Sequence, residues 1–107
     1  MINKAQAESL LKEDLADAEA AVDRLVAVPI NENHFSALVS FTFNVGTGAF
    51  ERSTLLSMLN ASGDADTVSS QLLRWNKTDD RELYGLTRRR LAERALYLGK
   101  NWKSYLS

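Results

Sequence analysis

Residues 37–50 read Ala37-Leu38-Val39-Ser40-Phe41-Thr42-Phe43-Asn44-Val45-Gly46-Thr47-Gly48-Ala49-Phe50, and the fold turns on what they form. With Phe35 just before them, they carry little polarity before Asn44. A short helix that is apolar nearly all round is a buried one. A strand competes, because Val, Phe and Thr favour extended backbone. No partner strand shows elsewhere in the sequence, so a central, buried helix is preferred. Asn31 stands where its N-cap belongs. Gly46-Thr47-Gly48 ends it, and two glycines so close point to backbone that needs positive φ or a close approach.

Upstream, Pro29, the single proline, marks a boundary. Before it, Leu10, Leu11, Leu15, Ala18, Val22, Leu25 and Val26 recur at spacings of three and four. That is one apolar stripe on a long helix. Asn3, with Gln6 three residues on, can cap its start. The residue before a proline is pushed out of helical conformation, so the helix is expected to end near Val28. Downstream, a helix follows over 53–59, and Asp64 caps another running to Trp75. Residues 76–85 are polar and read as a loop. The last full helix runs from Thr87 to Leu98, with Leu91, Ala95 and Leu98 facing in, and Gly99 stops it. Trp102 and Tyr105 are expected to fold back onto the body. The fold class is therefore all-α: a compact bundle of about five to six helices around a buried central helix, with residues 1–107 forming a single helical domain.

The bulk numbers agree. A chain of 107 residues with 45% hydrophobic and 25% charged residues can build one core. Net charge is −1, but residues 1–34 hold three Lys/Arg against seven Asp/Glu, and Arg88, Arg89, Arg90 and Arg94 gather near the other end. Such a split reads first as two solvated helix faces. The absence of cysteine excludes disulfides, thiol catalysis and Cys-based metal sites. The first residues, Met1-Ile2-Asn3-Lys4, carry no apolar signal region. No run approaches a membrane span. The expectation is a protein cytoplasmic as made.

Chemistry is sparse. His34 is the sole histidine, without an evident nucleophile beside it, and reads as a surface residue at a helix start. Glu51 follows the glycine turn, but one carboxylate at a turn is normally just solvated. The Arg88-Arg89-Arg90 run is too short and too mixed with acids for a nucleic-acid face. At least one of the three must point inward, toward an internal salt bridge or a carbonyl. From the residues, no catalytic group, metal site or cofactor is expected, and no nucleic-acid or membrane partner.

The segment 37–50 closely resembles the corresponding stretch of tailed-phage lysozymes, the endolysin family of glycoside hydrolases that cleaves peptidoglycan glycan strands. Further pieces agree in family order: Asn3-Lys4-Ala5-Gln6-Ala7-Glu8-Ser9-Leu10-Leu11, Ser53-Thr54-Leu55-Leu56, Leu73-Arg74-Trp75-Asn76, Gly85-Leu86-Thr87-Arg88-Arg89-Arg90 and Asn101-Trp102-Lys103-Ser104-Tyr105. The resemblance implies the helical lobe of that family. It also implies a first lobe carrying a catalytic Glu, then an Asp and a Thr, and no residue here matches those three. The expectation is a lobe inactive alone, which contributes one wall of a glycan cleft or completes a split endolysin. A non-enzymatic module that dimerises or binds a protein partner is the alternative. By resemblance, Phe43, Asn44, Ser53 and Ser69 face the glycan. Asn44 brings amide donors and acceptors suited to N-acetyl groups, and Phe43 an apolar face. Ile2, Leu10 and Leu11 lie where a partner lobe or second copy would cover them, since leaving such side chains in water forgoes roughly 1.5–3 kcal/mol each.

Overall fold

A computed structural model describes residues 4–78, 81–82 and 84–105, with side chains described over 15–76 and 85–105. The expected interface residues Ile2, Leu10 and Leu11, and the Asn3 cap, lie outside the described residues or side chains.

The chain is all-helical apart from one small ribbon. In order come α1 (Lys4–Leu25), α2 (Glu32–Val45), α3 (Thr47–Glu51), α4 (Thr54–Asn60), α5 (Ala65–Ser70), a 3-10 turn (Gln71–Arg74), β1 (Lys77–Thr78), β2 (Arg81–Glu82), α6 (Tyr84–Tyr97) and a final 3-10 turn (Lys103–Tyr105). The two strands pair antiparallel, Lys77 with Glu82 and Thr78 with Arg81.

Helix α2 is the central element, packed chiefly between α1 and α6. Asn31 caps it as expected, its side chain accepting from the His34 amide at 2.8 Å. Its inner residues Ala37, Leu38, Val39, Phe41 and Thr42 are buried. Phe41 meets Phe50 and Trp75 edge-to-face, with ring centroids 6.4 and 5.4 Å apart. Around them Val22, Leu55, Val68 and Leu72 complete a core with almost no solvent contact. Each such side chain contributes roughly 1.5–3 kcal/mol by leaving water. Gly46 ends α2 at φ +100°, and its amide donates to the Thr42 carbonyl.

Where the structure departs from the sequence reading, a polar side chain is usually responsible. Helix α1 stops at Leu25 rather than near Val28. There Asn60 reaches across from α4, donating Nδ2 to the Leu25 carbonyl at 2.9 Å and accepting the Ala27 amide at 2.7 Å. That side chain replaces the next helical turn. The single helix expected from Asp64 to Trp75 is α5 followed by a tighter 3-10 turn. Ser69 and Ser70 donate their hydroxyls back to the Asp66 and Thr67 carbonyls, a local competition that bends helices. Helix α6 starts at Tyr84, ahead of Thr87, whose hydroxyl instead receives a bond from Asn76 Nδ2 at 3.1 Å. On α6 the buried residues are Arg90, Ala92, Glu93, Ala95 and Tyr97, while Leu91 and Leu98 are half-buried. Gly99, at φ +74°, closes the helix. The tail folds back along α6 as expected, with Arg88 Nε donating to the Tyr105 carbonyl at 2.8 Å and Trp102 beside Leu96, but the Trp102 and Tyr105 side chains stay exposed.

Candidate functional site

Four turns of α2 set out two faces. One enters the core. The other carries Ser40 and Asn44, one turn apart, toward α6. Glu93 answers from α6 with a carboxylate only 4% exposed. Three donors converge on its Oε2: Ser40 Oγ at 2.6 Å, Arg90 Nη2 at 3.2 Å and Arg89 Nε at 3.4 Å. Arg90, with no exposed side chain, also sets Nε 2.7 Å from Glu93 Oε1, an ion contact off the hydrogen-bonding angle. Its guanidinium carbon lies 5.1 Å from the centre of the Phe41 ring, a cation–π contact out of water.

Burial pushes the Glu93 carboxyl up, against the pull of Arg90, Ser40 and Arg89. Burial likewise pulls Arg90 down, against the attraction of Glu93. Three donors on one oxygen and a guanidinium against the other favour the charged forms and oppose the effect of burial.

The consequence for the surface is Asn44. It is exposed, and its Oδ1 accepts from Arg90 Nη2 at 2.9 Å. That bond fixes the amide plane and leaves the Nδ2 hydrogens without a bond to any described residue. A buried ion pair thus aims a neutral donor outward. Phe43, beside it, is half-buried between α1 and α2. It lines a hollow of about 420 Å³ with Leu15, Phe35 and Val39, and another of about 260 Å³ with Asp17, Ala18 and Thr47.

The other two expected residues sit differently. Ser53 is the N-cap of α4: its hydroxyl donates to the Phe50 carbonyl at 2.7 Å and accepts the Leu56 amide at 3.1 Å. It is buried, as is Ser69, whose hydroxyl turns to the Asp66 carbonyl at 3.2 Å. Phe43 turns toward α1 and Asn44, the next residue on α2, toward Arg90 on α6, while the two serine hydroxyls are committed inside. The sequence reading anticipated an inward arginine in the run 88–90 but missed Asn44 as its partner and Ser40 as the partner of Glu93. Their spacing of four, opposite Arg90 and Glu93 at spacing three, was the available signal.

His34 is not the surface residue expected. Its ring stacks on Tyr97 at 4.1 Å, and Nδ1 is buried without a hydrogen-bond partner. Burial pulls its pKa down. Glu51 is exposed. Among the described residues, no group of three or more His, Asp or Glu side chains could hold a metal ion, and no helix is long and apolar enough to cross a membrane.

An all-helical lobe with an ion-paired seam between its central and last helices is the class these features define. The phage lysozyme family profile matches residues 1–93. The chain is 42% identical over 98 residues to an endolysin of Bacillus phage B103, covering 92% of this chain and 37% of that protein. It is 39% identical over 101 residues to an endolysin of Acyrthosiphon pisum secondary endosymbiont phage 1, covering 91% of this chain and 68% of the other. Among solved structures, the muramidase domain of SpmX from Asticaccaulis excentricus aligns with TM-score 0.82 at 34% identity, over 91% of this chain and 68% of that one. A P22 lysozyme mutant aligns with TM-score 0.78 at 39% identity, over 92% and 66%. The chain belongs to the phage lysozyme family. It spans between about a third and two-thirds of the length of these endolysins.

Proposed function

We propose that this helical lobe supplies one wall of a peptidoglycan glycan cleft, and that these 107 residues do not cleave the glycan by themselves. The single observation that carries the reading is the outward-aimed amide of Asn44, held by Arg90 beside the partly exposed ring of Phe43. An N-acetyl sugar offers a carbonyl oxygen for the Asn44 Nδ2 hydrogens and an apolar ring face for Phe43. Ser53 and Ser69, buried and bonded to their own backbone neighbours, offer the sugar no hydroxyl. Membership of a family of endolysins and a muramidase domain supports the substrate class.

Glycoside hydrolysis in most families needs a protonated acid and a second carboxylate across the sugar. Glu93 is the one buried carboxyl raised by its surroundings among the described residues, but its carboxylate is enclosed by two arginines and Ser40 and does not reach the surface. The acid must come from a separate lobe. Sedimentation of the chain with purified sacculi, followed by a clearing assay, tests both halves. Binding that Asn44→Ala weakens, without clearing, supports the reading; clearing by this chain alone overturns it.

A further inference from the structure

We infer that a second site, for a small neutral molecule with an apolar ring and an amide or carbonyl oxygen, lies where the start of α2 meets the turn between α4 and α5. It goes beyond the glycan reading and does not rest on it. His34 at this site and Asn44 stand at opposite ends of α2, roughly 15 Å apart along the helix. The hollow holds about 370 Å³, within the range of small-molecule sites. The connector between α1 and α2 supplies Val28, Pro29 and Ile30 as one wall. Leu59, from the end of α4, and Ala65, the first residue of α5, supply another. His34 and Tyr97 also line it, with their stacked rings 4.1 Å apart.

The wall at the α4–α5 turn is preformed. Ser62 takes φ +64°, its amide donates to the Leu59 carbonyl at 2.9 Å, and the Gly63 amide donates to the Met58 carbonyl at 2.8 Å. A Cβ on Gly63 would stand 2.8 Å from that carbonyl oxygen and 3.1 Å from the Val68 side chain, so the turn closes this tightly only around a glycine. The polar groups at the hollow are few and uncommitted. His34 Nδ1 is sealed off without a partner, so the proton of the neutral ring belongs on Nε2. No described residue bonds Nε2 or the Tyr97 hydroxyl. None of the residues lining the hollow is an acid, a lysine or an arginine. Asp64, between Gly63 and Ala65, commits its carboxylate to the Thr67 amide and hydroxyl at 2.8 and 3.0 Å.

These features select the ligand. An ion would lose water here with nothing to pair it, whereas a neutral molecule pays no such penalty. An apolar ring fits the aliphatic walls and meets the edges of the stacked pair, an arrangement that aromatic groups prefer. A carbonyl oxygen on that ring accepts from His34 Nε2, and an amide N–H beside it donates to the Tyr97 hydroxyl.

An NMR titration of the full chain with benzamide, and with toluene as a ring lacking the polar group, tests the inference. Benzamide is expected to move the His34 and Tyr97 ring signals and the Leu59 methyls on one saturable curve, to leave Asn44 still, and to bind at least about tenfold more tightly than toluene. His34→Phe keeps a ring against Tyr97 and removes the donor; it is expected to abolish most of that preference while toluene still binds. Ala65→Leu fills the hollow from a half-buried position and is expected to lose both ligands. A circular-dichroism melt checks that each variant is folded. Benzamide without saturable shifts at His34 and Tyr97 overturns the inference. Binding that a folded Ala65→Leu chain retains in full overturns the location, and equal binding of benzamide and toluene to the wild type overturns the assigned ligand class.

Discussion

Replacing Glu93 with Gln leaves the Arg90 guanidinium charged, wholly buried and without its counter-charge. The structure sets the scale. The two side chains are 0% and 4% exposed, with 2.7 Å between Nε and Oε1, and Ser40 and Arg89 also bond the same carboxylate. Breaking a buried pair from one side costs about 3–5 kcal/mol, against a total stability of roughly 5–15 kcal/mol for a domain. At this chain length a loss of that size lowers Tm by roughly 15–25 °C. Circular dichroism at the helical band, on heating and in urea, reads it. Replacing the pair together, Glu93→Leu with Arg90→Met, removes both charges and is expected to return most of the lost stability, since apolar substitutes for buried ion pairs are often neutral or better. Asn44 would then lose its partner and should no longer be held in one orientation. A Glu93→Gln variant within about 1 kcal/mol of wild type would refute the reasoning, because that is the scale of an exposed pair rather than a buried one.

Other consequences are smaller. Asn60→Ala removes both bonds that end α1, and an expected loss of about 1–3 kcal/mol, from two hydrogen bonds of ordinary strength, is readable by urea titration. Gly46→Ala meets nothing within 4 Å, so its cost is backbone strain alone at φ +100°; about 1–2 kcal/mol is expected in the same titration, with the helix content kept. His34 has a folded pKa pulled below 6.5 by burial, so the unfolded chain takes up its proton first as pH falls. The stability it permits is present above pH 6.5 and lost as pH drops through the lower folded value. Urea midpoints at pH 7.5 and pH 5 should diverge for wild type and converge for His34→Gln.

The helical class and its central helix were legible because 37–50 carries its own argument: apolar side chains on most faces, a cap at Asn31 and glycines to stop it. The stops at Gly46 and Gly99 were readable for the same local reason, positive φ at a helix end. What escaped depended on residues distant in sequence. The early end of α1 is decided by Asn60, more than thirty residues away, which periodicity does not register. The bend after Ser70 comes from hydroxyls turning on their own backbone, and nothing in an apolar pattern marks that choice. His34 gave a surface signal because the stacking partner, Tyr97, lies on the last helix. At the candidate site, Phe43 and Asn44 came from family resemblance rather than from physics. Why Asn44 points outward became clear only when α6 was seen to bring Arg90 under it, and the commitments of Ser53 and Ser69 needed the backbone of α3 to α5.

The central claim is that the amide of Asn44, held by the buried Arg90–Glu93 pair, meets an N-acetyl sugar beside Phe43. The most direct measurement is an NMR titration of the labelled chain with soluble peptidoglycan glycan fragments, following the Asn44 side-chain amide and the Phe43 ring. The account predicts that both move together with one binding curve, and that Asn44→Ala weakens that binding by about tenfold, the worth of roughly one well-made hydrogen bond. Saturable binding that leaves both signals still, or that Asn44→Ala does not change, would contradict it.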